Sequence, residues 1–511
     1  MIALAILLLR NPNAPGPAPV STAVPPTSAV LVVGADTAVA PTPAATVAPT
    51  PSSAPVPTAA PTSAPEQVTP PVAGTPADPA GKLVYTDDFG AGPEAEKEKS
   101  GLEDDQQSED FSRGFHSPGV YHFKLLRPNE THWELLPRSA YRDFTMQIEL
   151  WDNSDTFEGG VSQGLLFRVR DDDHFYALLV DPRKRRYTVR KRAPQDKWVE
   201  IIPWKASPLI KSGNDHNLVR IDAASDQFTI FINNMALDRF QDASYAAGMV
   251  GMIVDNVDAV TPHMHFDNLK IWNADTASTE KPLAPRQDMV AIPGGEFVMG
   301  SYQRDDQQPP HIVGVDSFYI DLTEVTNAAY EKCVAAGKCQ RPADLGSYSH
   351  VSYYADAAYT AYPVINVTWE QAQAYCGWGG KRLPTEAERE KAASWNATAQ
   401  RKTIWPWEGR FDNALLNTDA RLGDTTAVKQ FPAELNGTFD MAGNVWEWTS
   451  SLFKPYPYSA TDGREDPKAI GERVFRGGSW AQSPGTRATF RDHAAQTYAN
   501  NEIGFRCAAS P

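Results

Sequence analysis

No stretch of the 511 residues approaches the roughly 18–20 consecutive apolar positions of a complete membrane-crossing helix, which excludes a polytopic membrane protein. Basic residues are scarce. The 47 Lys and Arg against 63 Asp and Glu leave a net charge of −16. So acidic a chain lacks the field that neutralises phosphate, which argues against nucleic acid as a partner. Cysteine is scarcer still, at four, and no CxxC accompanies histidines as a structural zinc site requires. An even number suits two disulfides in an oxidising compartment, and spacing leaves three connectivities open.

Proline is abundant, at 42, and concentrated before residue 80. Residues 1–10 carry an apolar run (IALAILLL) followed by Arg10. It is too short to span a bilayer and lacks a basic leader, so it reads as part of a membrane segment or an atypical export signal. Residues 11–79 are built from Pro, Ala, Thr, Val and Ser without periodicity, the composition of a disordered, extended stalk. Together they predict an extracytoplasmic, cell-surface protein with a membrane tether at its N-terminus.

Residues 80–275 alternate in steps of two between turn residues, as in Phe144-Met146-Ile148-Leu150 and Phe228-Ile230-Ile232. Many short strands with little helical pattern predict an all-β sandwich. Asp87-Asp88-Phe89, GLLFRVRDDDHFYALLV, FTIFINNMAL and FDNLKIW occur in an order that resembles the concanavalin and laminin G-like jelly rolls related to 3-keto-disaccharide hydrolases. That resemblance implies glycan or protein binding. Asp171-Asp172-Asp173 reads as a solvated turn, and the basic run 183–192 (RKRRYTVRKR) as a solvated hairpin face. His263 and His265 share one face of a strand, but no third metal ligand is evident beside them. No pair of carboxylates can be placed for glycoside hydrolysis.

Residues 286–508 carry MVAIPGGEFVMGS, EVTNAAY, PVINVTWEQAQAYCGWGGKRLPTEAERE, FDMAGNVWEWTSS, RVFRGGSW and GFRC. Thr326, Thr368 and Thr385 stand as N-caps of three helices. In content and order these stretches resemble the formylglycine-generating enzyme, or sulfatase-modifying factor, family. The resemblance implies a loop-rich α+β domain of C-type-lectin-like fold. The HxxxHxE iron motif of the family's ergothioneine-synthesis branch is absent.

The resemblance also implies a disulfide between Cys376 and Cys507, with Cys333–Cys339 as the second bond. It implies up to two structural calcium ions (Ca2+), one held by Asn417, Thr418, Asp424 and Thr426, the other by Asp440, Gly443, Val445 and Glu447. Oxygen donors of this kind suit a hard cation. Ser479 and Trp446 match residues of the family's cleft. The family's oxidase chemistry needs two thiols after RGGS that bind copper, and here those positions hold Gln482 and Arg487, so no copper is expected. Arg389 stands where the family has Trp and reads as a change of packing. The resulting reading is an extracytoplasmic protein that binds an unidentified surface ligand, with a catalytically degenerate domain, as the sensor part of a bacterial receptor kinase. Its rivals are a modifying oxidase with an altered active site and a glycan-binding or glycan-active jelly roll.

Overall fold

Alternation along the strand Phe144–Asp152 buries Phe144, Met146, Ile148 and Leu150 on one side, and neighbouring strands repeat the pattern in register. In the computed structural model, which describes residues 79, 81–90, 106–107, 111–116, 119–194, 197–259, 261–273, 283–482 and 484–511, these strands form two antiparallel sheets. The membrane segment expected at 1–10 and, apart from Pro79, the stalk expected at 11–79 lie outside these residues. No helix among the described residues is long and apolar enough to cross a membrane.

One sheet has nine strands. Its central members are Asn217–Ala224, Phe144–Asp152, His263–Asn273 and Val120–Leu125, in that order. The other has six, in the order Lys197–Ala206, Arg186–Ala193, His174–Asp181, Val161–Asp171, Gly248–Asn256, Glu130–Tyr141. Their facing sides share one apolar core, which includes Tyr121, Phe123, Leu165, Phe167, Ile221 and Phe266. At Gly164 a β-carbon would lie 1.8 Å from the Leu178 carbonyl oxygen, so only glycine permits that approach.

The second face of the six-stranded sheet is buried as well. Leu135, Leu166, Val169, Phe175 and Ile253 form a cluster with Val298 of the next domain, and Tyr302 and Ile312 pack against it. Arg170 pairs with Glu296 at 2.7 Å, and the Tyr302 hydroxyl donates to Asp172 at 3.2 Å. The Asp171–Asp173 turn is thus a docking contact rather than a solvated loop. The basic run is also committed internally. Arg183 pairs with buried Asp152 at 2.6 Å, Lys191 with Asp242 at 2.6 Å, and Arg186 lies over Trp204 at 4.2 Å. The run's exposed members are the turn residues Lys184 and Arg185, and Arg185 donates to the Ile210 and Pro208 carbonyls.

The C-terminal domain is assembled from small sheets and three helices. The strand Met289–Ile292 pairs with Phe318–Asp321, which pairs in turn with the terminal Ala508–Ala509. A hairpin joins Gly295–Met299 to His311–Val315. A four-stranded sheet orders Arg491–Ala495, Glu472–Arg476, Trp446–Leu452 and Ile503–Gly504. Helix α1 (Asn327–Ala335) is capped by Thr326, whose hydroxyl accepts from the Ala329 amide. Helices α2 (Trp369–Trp378) and α3 (Glu386–Ser394) open with complete capping boxes, Thr368 with Gln371 and Thr385 with Glu388. Cys333 is bonded to Cys339, and Cys376 of α2 to Cys507 beside the last strand.

Candidate functional site

The RGGS turn follows the strand Glu472–Arg476 and is made possible by Gly477 and Gly478, both at positive φ (103° and 73°). It delivers Ser479 into the interior, where the hydroxyl donates to Glu502 at 2.6 Å. Trp446 is buried against Phe475 and Phe490. The short helical turn Pro484–Thr486 closes over it, so tightly that a β-carbon on Gly485 would lie 2.4 Å from the indole. Both expected cleft residues are therefore packed in the interior.

Gln482 is exposed. The Arg487 guanidinium donates to Gln303 at 2.6 Å and lies over Trp405 at 5.8 Å. All four cysteines are in disulfides, so no thiol stands near these positions. Among the described residues, cavities also lie elsewhere. One of about 310 Å³ sits between the domains, lined by Arg170, His174, Tyr245, His311 and Tyr458. One of about 470 Å³ lies beside α1, lined by Glu331, Arg341, Tyr354 and Asp356 among others.

The two expected calcium loops differ in chemistry. In the first, Asn417 donates its amide to the Asp424 carbonyl at 2.8 Å, while its Oδ1 and the Thr418 hydroxyl are buried oxygens without a hydrogen-bond partner. Such orphaned oxygens fit a hard cation. The Asp424 carboxylate accepts from the Ser347 hydroxyl and from both the amide and hydroxyl of Ser349. Burial works to raise its pKa, but these bonds hold it below the usual range. Thr426 donates its amide to Asn444 at 2.8 Å.

In the second loop two guanidinium groups already claim the Glu447 carboxylate. Glu447, fully buried, accepts from Arg389 Nε at 2.7 Å and from Arg506 Nε and Nη2 at 2.8 Å each. Burial alone would raise its pKa; the two guanidinium groups hold it below the usual range. A dication there would face two fixed positive charges. Asp440 accepts from the Lys429 amide, Gly443 donates to the Gly477 carbonyl at 2.8 Å, and Val445 is buried. Arg389 is thus a change of charge, not of packing.

Sequence reasoning missed Glu502, Glu324 and His122. Buried Glu324 accepts from Asn444 at 3.1 Å. His122, on Val120–Leu125, lies beside His263 and His265, the third imidazole absent from the sequence reading. Nothing in the sequence around it announces that neighbour, because the pairing of the two strands is non-local.

A loop-rich α+β domain built around RGGS, GNVWEW and a disulfide from an AYC helix to GFRC defines the sulfatase-modifying-factor class. A profile described as "Sulfatase-modifying factor enzyme 1-like domain" matches residues 274–511. The formylglycine-generating enzyme of Streptomyces coelicolor is 31% identical over 294 residues, covering 46% of this chain and 93% of that protein. The mouse (Mus musculus) inactive C-alpha-formylglycine-generating enzyme 2 is 30% identical over 298 residues, covering 47% and 92%. Serine/threonine-protein kinase pkn1 of Chlamydia pneumoniae is 34% identical over 248 residues, covering 45% of this chain and 39% of the kinase, so the chain spans well under half of that relative. The chain belongs to the formylglycine-generating enzyme family.

Proposed function

We propose that this chain is an extracytoplasmic ligand-binding protein in which a formylglycine-generating-enzyme domain has lost its thiol chemistry, and that it serves as the sensor part of a membrane-tethered receptor kinase. The observation that carries the reading is the state of the cysteines. Gln482 and Arg487 stand at the thiol positions, and the only four cysteines are consumed in two disulfides. An amide and a guanidinium do not bind copper as soft thiolates do. Similarity to a protein named as an inactive member and to kinases supports the same reading, as do disulfides suited to an oxidising compartment. The sandwich is read as a jelly roll. In the first loop, Asn417, Thr418, Asp424 and Thr426 would hold calcium as a structural ion.

The test is an assay of the full chain with copper and a sulfatase-motif peptide, beside a thiol titration without reductant. Neither turnover nor a free thiol is expected. Turnover at an enzymatic rate would refute the reading.

A further inference from the structure

We propose that His122, His263 and His265 form a binding site for a divalent first-row transition ion of the zinc class on the outer face of the nine-stranded sheet. The register pairs His265 with His122 across the two strands, and His263 lies two residues earlier on the same face. The intervening Tyr121, Phe123, Met264 and Phe266 point into the core, so the three imidazoles project together from the opposite side. His263 Nε2 lies 3.1 Å from His122 Nδ1 and 3.0 Å from His265 Nε2. One ligand nitrogen from each ring falls within 4.8 Å of the others.

An imidazole nitrogen carries either one proton or one lone pair. His263 Nε2 therefore meets its two neighbours either as donor or as acceptor, whereas a single ion can take a lone pair from each of the three rings. Ligands about 2.0–2.1 Å from one tetrahedral zinc stand roughly 3.3 Å apart, close to the spacings seen here. The donors are held in place. Trp151 sets its edge against His265 at 5.1 Å and stacks on His216 at 4.0 Å with an interplanar angle of 6°. His265 is buried, while His122 and His263 are half-buried and reachable by an ion. An all-imidazole set favours zinc, copper or nickel over the hard cations suited to the Asn417–Asp424 loop. Three protein ligands leave a fourth position of a tetrahedral ion for water or an oxygen of an external ligand.

The test uses the full chain, stripped with chelator, then dialysed against micromolar zinc with calcium in excess to saturate hard-cation sites. Wild type is expected to retain one zinc and to melt higher with it. His122→Ala and His263→Ala should each weaken zinc binding at least roughly tenfold, while His493→Ala, on another domain, retains it. Cobalt in place of zinc should give a visible absorption band that the two variants lose. Melting curves in chelator report whether the variants are folded. Wild type that retains no zinc or cobalt, or folded His122→Ala and His263→Ala proteins that bind as wild type does, would overturn the proposal.

Discussion

Glu447 lies between two guanidinium groups in the interior of the C-terminal domain, and each charge depends on the others for its solvation. Removing one member leaves the rest buried and unbalanced. Glu447→Ala is expected to destabilise by about 3–5 kcal/mol, read from urea unfolding; Arg389→Ala, which leaves the Arg506 pair intact, should do less. The joint change Arg389→Leu, Glu447→Leu and Arg506→Leu, which removes all three charges, should recover part of the loss, since buried ion pairs seldom exceed well-packed apolar replacements in stability. Equal stability of Glu447→Ala and wild type would show that the cluster is dispensable. A second residue ties stability to pH. The Nδ1–H of His311 donates to the Pro309 carbonyl at 2.7 Å, and its Nε2 accepts from the Tyr458 amide at 2.8 Å, an arrangement only the neutral ring can make. Burial pushes its pKa down to about 4 from an ordinary 6.5. On acidification the unfolded chain takes up this proton first, so the ring's contribution is full above about 6.5 and is lost as pH falls towards 4. That amounts to about 3 kcal/mol. The urea midpoint of wild type should fall across this window, and His311→Gln should flatten the fall.

At the level of elements, the bond from Cys376 to Cys507 ties α2 to the last strand across a sequence separation of 131. In the chain-entropy model Cys507→Ser should lose about 4–5 kcal/mol, and non-reduced peptide mapping should recover Cys376 linked to Cys507. Recovery of Cys376 linked to Cys333 would refute the pairing. The three helix starts were legible in the sequence because a cap is written within four residues. The strands Phe144–Asp152 and Gln227–Ile232 were legible because a period of two needs no partner to be read. Val161–Asp171 was legible as a strand but not as one buried on both faces. Its sequence, VSQGLLFRVRD, interrupts the apolar residues with Ser162, Gln163 and Arg168, so nothing local says that both faces are covered or that the cover on one side is another domain. Arg389 was misread for a related reason. Its place on α3 was plain, but its aim at Glu447, 58 residues on, was not. The histidine cluster depends on a separation of 141 residues between His122 and His263, set by a strand pairing that no local pattern encodes.

Across the whole chain, the apolar cluster shared by the six-stranded sheet and the Gly295–Met299 hairpin makes the two domains one packed body in the region from 283 onwards and the sandwich before it. Calorimetry should therefore show one cooperative transition for both. Val298→Asp, which places a charge in that cluster, should split it into two, and an unsplit transition would mean that the interface contributes little to coupling. Calcium supplies a further test. Chelation should lower the melting temperature, and Asp424→Ala should abolish much of that effect, because an ion that binds only the native state stabilises by about 2.7 kcal/mol at a hundredfold excess over its Kd. An unmoved melting curve would leave the Asn417–Asp424 loop held by hydrogen bonds alone. The last strand bears on how the molecule is made. Ile503–Gly504 completes one sheet, Arg506 neutralises Glu447, Cys507 closes the long bond, and Ala508–Ala509 completes another sheet. A ribosome delivers these residues after everything they complete. Until they emerge, Phe318–Asp321 lacks one neighbour and Glu447 lacks half its counter-charge, so the domain cannot lock before they do. A chain that stops before Ile503 would lack all four ties, and quality-control proteases would treat it as unfolded.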